Sequence, residues 1–196
     1  MEKIVLASGN KGKLKEFQQI FAKQDINVLP QAQFRIEDAE ETGLTFVENA
    51  IIKARHAARI SGLPALADDS GLEVDALRGK PGIYSARYAG PDATDADNNA
   101  KLLKALHHVP IPERTARFHC VLVLMRHAED PTPMIFHGQW EGMILTEEHG
   151  TNGFGYDPLF YALEQKCCSA ELSSDVKNKV SHRGLAVQKL IASLHV

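Results

Sequence analysis

Cysteine is scarce in this 196-residue chain: Cys120, Cys167 and Cys168 are all there is. An odd count with two adjacent residues suits no framework of structural bridges, and there is no Cys-x-x-Cys pair to suggest zinc. We read reduced thiols and a cytoplasmic location. Long apolar runs are missing too. No stretch approaches the ~20 residues of a membrane span, and the apolar part of Met1-Glu2-Lys3-Ile4-Val5-Leu6 is too short for a signal peptide. No membrane association is expected. Neither sign of charge dominates: 22 Lys and Arg against 25 Asp and Glu leave −3, with a pI near 6.3. A nucleic-acid partner needs a clearly basic face, so none is expected. A few lysines focused on one point could still serve a small anion. The histidines have no metal-ligand spacing, no Ser-His-Asp arrangement has identifiable roles, and internal repeats and linkers are absent.

What remains is a globular composition, 44% hydrophobic and 24% charged. One domain of this length buries roughly 70% of its unfolded surface. We expect a single domain over 1–196; a second lobe could be carved from about 72–150, with no composition shift at its edges. Period-two and helical patterns predict strands at 2–8 and 26–30 and helices at 11–24 and 45–61. The second helix is capped by Thr45 with Glu48 three residues on. A short strand at 65–68 runs into Asp68-Asp69-Ser70-Gly71, and 72–77 forms another. Residues 79–93 read as a surface loop, 95–107 as a helix ending at His107-His108, and 116–127 and 134–145 as long strands. Gly150–Asp157 is a glycine-rich loop, and a helix over 181–194 with Ser181 as its cap closes the chain. This is an α/β protein with a mixed sheet and flanking helices.

Several stretches carry chemistry beside a plainer reading. Ser8-Gly9-Asn10-Lys11-Gly12-Lys13 lies between a strand and a helix, where backbone N–H groups and a helix N-terminus favour anions. It lacks the Gly-Lys-Ser/Thr ending of a Walker loop, and a strand–helix connection with solvated lysines reads equally well. Asp68 and Asp69 end a short strand, where open α/β sheets bind ligands. Neighbouring strand residues face opposite ways, so both can serve one site only if the chain turns at Asp69. With Glu40 and Glu41 they suit an oxygen-loving cation such as Mg²⁺; an acidic turn is the plainer account. Lys53 shares a helix face with Asn49. Phe154, among the glycines of 150–157, is a stacking platform for a base or a core side chain. His182 and Arg183 sit in the first turn of the last helix, where cations are disfavoured, which asks for a compensating partner.

The order of the motifs adds a further reading. Ser-Gly-Asn-x-Gly-Lys, Glu-Glu-Thr-Gly-x-Thr-Phe-x-Glu-Asn-Ala-x-x-Lys-Ala, Ala-Asp-Asp-Ser-Gly-Leu, Pro-Gly-x-Tyr-Ser-Ala-Arg-Tyr, Gly-Phe-Gly-Tyr-Asp-Pro and Ser-His-Arg-Gly follow one another along the chain. Together they resemble the RdgB/HAM1 family of inosine/xanthosine triphosphate pyrophosphatases. The resemblance implies an elongated α/β fold of two lobes around a central cleft, a homodimer, and Mg²⁺. It implies hydrolysis of dITP, ITP, XTP and dXTP to the monophosphate and pyrophosphate, clearing deaminated purines from the nucleotide pool.

It also implies roles. Ser8, Gly9, Asn10, Lys11, Gly12, Lys13 and Lys53 hold the triphosphate. Glu40 or Glu41 binds metal with Asp68 and Asp69. Asp69 is the general base, and Ser70 lies against the substrate. Phe154, Gly155, Tyr156, Asp157, Lys177, His182 and Arg183 surround the base and sugar. Tyr84, Ser85 and Arg87 match a motif assigned only loosely to the cleft or the dimer contact. Lys11 and residues 166–176 depart from the family pattern, the latter beside the base loop. The rival readings are a pyrophosphatase resembling the Maf family, acting on other modified or pyrimidine nucleotides, and a non-catalytic nucleotide-binding protein.

Overall fold

The computed structural model describes residues 3–22, 24 and 26–194. Its strands are β1 (Lys3–Leu6), β2 (Asn27–Pro30), β3 (Ala65–Val74), β4 (Thr115–Met125), β5 (Met134–Ile144), β6 (Phe160–Ala162) and β7 (Cys167–Cys168). Its α-helices are α1 (Lys11–Phe21), α2 (Phe46–Ser61), α3 (Asp95–Ala105), α4 (Ser174–Val180) and α5 (His182–Leu194). The strands form one seven-stranded sheet in the order β2-β1-β3-β4-β5-β6-β7. β1 is parallel to both β2 and β3, and β6 is antiparallel to β5 and β7. The architecture is α/β with a mixed sheet and flanking helices.

The chain divides into two compact units. The first comprises Met1–Asp69, Cys120–Gly138 and Arg183–Val196; the second comprises Ser70–His119 and Gln139–His182. In the first, the sheet is apolar on both faces. Ile4 and Leu6 of β1, with Cys120, Leu122 and Leu124 of β4, face Phe17 and Phe21 of α1 and Ala186, Val187 and Leu190 of α5. The alternate residues Val5, Val121, Val123 and Met125 face Ala50, Ala54, Ala57 and Ala58 of α2. This double burial explains why β1 reads as a continuous apolar run. Phe17 and Phe21 are fully buried and each contributes about 2–3 kcal/mol by area removed from water. Thr45 caps α2 by accepting from the Glu48 amide at 3.3 Å, as its spacing predicts.

The second unit has one apolar face, built from Leu72, Val74, Leu102, Leu106, Phe118, Trp140, Ile144 and Phe160. The opposite face of these strands is polar: Arg117 pairs with Asp75 at 2.8 Å and Glu141 at 3.1 Å, and His119 Nε2 meets Glu73 at 2.6 Å. Alternating burial along β5 follows from this one-sided packing.

The structure departs from the sequence expectations at several places. Residues 65–68 and 72–77 are not two strands: β3 runs unbroken through Asp69, Ser70 and Gly71. Ser70-Gly71 resembles a turn, yet both residues lie within the strand, and just beyond them the Leu72 amide donates to Ser85 Oγ at 2.8 Å. Helix 95–107 ends at Ala105, so His107 and His108 lie in the following turn. The loop 79–93 contains a 3₁₀ helix, Gly82–Arg87, with Ser85 buried. The final helix is preceded by the separate α4, with Ser181 between them. Helix α1 ends at Phe21, short of the expected 24, and residues 2 and 23 of the expected elements lie outside those described.

Candidate active site

In the first unit, β1 delivers the chain to the start of α1. Asn10 caps this helix, its Oδ1 accepting from the Lys13 amide at 3.0 Å, while its own amide donates to Ser8 Oγ at 3.2 Å. Gly9, Asn10 and Lys11 are exposed, and Ser8, Gly12 and Lys13 are half-buried. An accessible helix N-terminus with two lysines in its first turn suits an anion.

Asp68 and Asp69 lie side by side on β3, 1% and 6% exposed. Strand alternation sends them to opposite faces, and each meets its own cations. Asp68 pairs with Lys13 of α1, accepts from Arg183 Nε at 3.0 Å and takes the Cys120 thiol hydrogen at 3.0 Å. Arg183 also pairs with Glu16 and lies over the Phe17 ring at 5.9 Å. Burial alone would raise the Asp68 pKa; Arg183 and Lys13 reverse it and hold the carboxyl well below its ordinary value. Burial would likewise lower the Arg183 pKa, but Asp68 and Glu16 raise it. A buried charge stripped of its partner costs several kcal/mol, so these groups stand or fall together.

Asp69 accepts from Lys53 Nζ of α2 at 2.7 Å, and the same ammonium meets Glu41 at 2.8 Å. Burial pushes the Asp69 pKa up, and Lys53 offsets this only in part because Glu41 shares it and adds its own negative charge. Lys53 stays charged: burial pulls its pKa down, but two carboxylates raise it above the ordinary value. Asp69 Oδ2 is buried with no hydrogen-bond partner among the described residues. Glu41, not the exposed Glu40, converges on Lys53 with Asp69. Among the described residues no three His, Cys, Asp or Glu side chains form a ready metal cage. The two carboxylates that do converge, Glu41 and Asp69, fit a cation that takes its other ligands from phosphate and water, the habit of Mg²⁺, whereas Asp68 faces the other way.

In the second unit, the loop 150–157 is tied down from within. The Asp157 carboxylate, 3% exposed, accepts from the Phe154 amide at 2.9 Å, Ser169 Oγ at 2.7 Å and Lys177 Nζ at 2.6 Å. Gly153 has φ +79, and any side chain there would enter the Asp157 carboxylate. Lys177 also sits 5.0 Å over the Phe154 ring. The Tyr156 hydroxyl donates to Ser85 O at 2.7 Å. His182 stacks on Phe118, centroids 4.7 Å apart and planes 13° apart.

Of the base residues suggested by sequence, Phe154 and Gly155 are the accessible ones; Tyr156, Asp157, Lys177 and His182 are buried. Arg183 belongs to the first unit, with its guanidinium on Asp68 and Glu16. Ser70 is half-buried on β3. Sequence reasoning missed Glu16, Cys120 and Ser169. Glu16 lies three residues beyond Lys13 on one helix face, a legible signal. Cys120 and Ser169 left none, because their partners are distant in the chain.

Against known proteins, the Ham1 family model matches residues 4–193. The dITP/XTP pyrophosphatase of Vibrio cholerae serotype O1 is 60% identical over 194 residues, covering 99% of this chain and 97% of that protein. The Yersinia pseudotuberculosis protein of the same name is 58% identical, with 99% and 98% covered. Among solved structures, a HAM1 protein from Coxiella burnetii superposes with TM-score 0.91 at 53% identity, covering 100% of this chain and 99% of that one. The Staphylococcus aureus Ham1 protein gives 0.86 at 43%, with 98% of each covered. With a family model and relatives matching nearly from end to end, this chain belongs to the Ham1 family.

Proposed function

We propose that the protein hydrolyses deaminated purine nucleoside triphosphates (dITP, ITP, XTP and dXTP) to the monophosphate and pyrophosphate. The observation that carries this reading is the pairing of two adjacent carboxylates with two lysines from different helices, Asp68 with Lys13 and Asp69 with Lys53. The names of its relatives support the substrate class.

A triphosphate carries about four negative charges, and water attacks its α-phosphorus only where cations offset them. Lys13, Lys53 and the open start of α1 supply fixed positive charge. Glu41 and Asp69, which converge on Lys53, would hold Mg²⁺, which would screen the phosphates as a Lewis acid; Asp68, on the opposite face of β3, is held by Lys13 and Arg183 instead. Asp69 is the general base, and Oδ2 is the atom left to accept the proton. The water oxygen bonds to the α-phosphorus and its proton passes to Asp69. The bond from that phosphorus to the α–β bridging oxygen breaks, and pyrophosphate leaves with the electron pair. Phe154 stacks on the base. Hypoxanthine and xanthine present an O6 acceptor where adenine presents a donor, so a fixed donor at that position would reject ATP.

Incubating the protein with dITP, dGTP or dATP and Mg²⁺, then separating products, tests the reading. dIMP and pyrophosphate, with dGTP and dATP nearly untouched, is expected. Release of orthophosphate, or equal use of all three, overturns it. The same reading makes the enzyme a cytoplasmic homodimer without nucleic-acid or membrane partners, and sedimentation near twice the 21.6 kDa chain mass tests the dimer.

A further inference from the structure

We propose that Asp95 and Asn99 of α3 are positioning residues that set the base loop, and through it the preference among purines. This rests on the assignment of Phe154–Asp157 to the base. Asp95 and Asn99 are four apart and share a helix face. The Gly155 amide donates to Asp95 Oδ2 at 2.7 Å, and Asn99 Nδ2 donates to the Gly155 carbonyl at 3.1 Å. One helical turn therefore grips both polar groups of a single residue. That residue has φ +61 and joins the accessible Phe154 to the buried Tyr156. Ties within the loop end at Asp157; this grip places its middle against α3.

The Asn99 amide has only one workable orientation. Nδ2 also donates to Glu148 Oε1 at 3.2 Å, so flipping the amide would set its oxygen against two acceptors. Asn99 is 3% exposed, and its Oδ1 is buried without a partner among the described residues. Such an atom is destabilising. An apolar side chain of similar volume would remove that defect, at the loss of the two bonds that Nδ2 donates. α3 is itself anchored nearby: the next-door Asn98 donates to Ala86 O at 3.1 Å and accepts from the Ala89 amide at 2.8 Å. The grip therefore starts from a fixed base.

Hydrogen exchange and kinetics on Asn99→Leu, Asp95→Ala and Asp95→Asn test this. In Asp95→Ala, exchange at the Gly155 amide should quicken about tenfold; Asp95→Asn, whose amide oxygen still accepts, should restore the slower rate. In Asn99→Leu, KM for dITP should rise about five- to tenfold, the size of one lost hydrogen bond. Its kcat should stay within about twofold, and its preference for dITP over dGTP should fall. Unchanged Gly155 exchange overturns the grip, whatever the substrate proves to be. Faster exchange with unchanged KM and preference, or a loss falling on kcat alone, overturns its part in selection. A wild-type protein that does not turn over dITP sinks the proposed function and the selection argument with it, while the exchange result still judges the grip.

Discussion

Asp68 and Asp69 are neighbours with opposite electrostatics, and each difference has a local cause. Asp68 has two cations and a thiol donor; Asp69 shares one lysine with Glu41. Replacing Asp69 by Asn removes the proposed base, and turnover of dITP should fall about 10²–10⁴-fold. A buried charge that burial disfavours is removed as well, so the melting temperature at pH 7 should hold or rise. Unchanged turnover would sink the role of Asp69.

The Asp68 pKa is depressed on folding. In the interval below the ordinary aspartate value, about 3.9, the unfolded chain therefore binds more protons, and stability rises with pH. Its contribution is fully present above that value and is lost as pH falls toward the folded pKa. In the metal-free protein, denaturant midpoints between pH 6 and pH 3 should fall more steeply for wild type than for Asp68→Asn. At pH 7 that variant should be destabilised by about 3 kcal/mol, because Arg183 and Lys13 lose a buried partner.

Among the elements, β3 was the hardest to read. Ser70-Gly71 has the composition of a turn, yet the strand passes straight through. The Leu72 amide is satisfied by Ser85 Oγ at 2.8 Å, and that hydroxyl in turn donates to Gly82 O at 2.6 Å. A side chain thirteen residues away thus completes what local propensity leaves open. Ser85→Ala should cost about 1–3 kcal/mol in denaturant unfolding, since it strands a buried N–H. A change within experimental error would show that this bond does not stabilise the strand. α1 and α2 were legible from helical spacing, and α2 also from its Thr45 cap, because those signals lie within one turn of the residue they describe. α4 was not: seven residues rich in charge offer no apolar stripe.

For the molecule as a whole, the paired lysines matter when metal is removed. Lys13 and Lys53 already balance Asp68 and Asp69, so the fold does not need Mg²⁺. Chelation with EDTA should abolish hydrolysis while moving the melting temperature by less than about 3 °C, under 1 kcal/mol for a chain of this size. Unfolding on chelation would mean that the carboxylates depend on metal instead. No helix among the described residues is long and apolar enough to cross a membrane, in keeping with the lack of long apolar runs. The two faces of the sheet also differ by unit: apolar on both in the first, apolar on one and charged on the other in the second.

The sequence by itself determined the alternation of strands and helices, the Thr45 cap of α2, and the motif order that marks the family. These rest on periodicity, turn chemistry and residue identity, all local to the chain. Tertiary structure alone decided that β3 is unbroken and that Glu41 rather than Glu40 meets Lys53. It also brought Arg183 to Asp68 from 115 residues away and joined α3 to Gly155. Those outcomes depend on which buried charges and amides find partners, and the partners are distant in sequence, so no local pattern in the chain marks them.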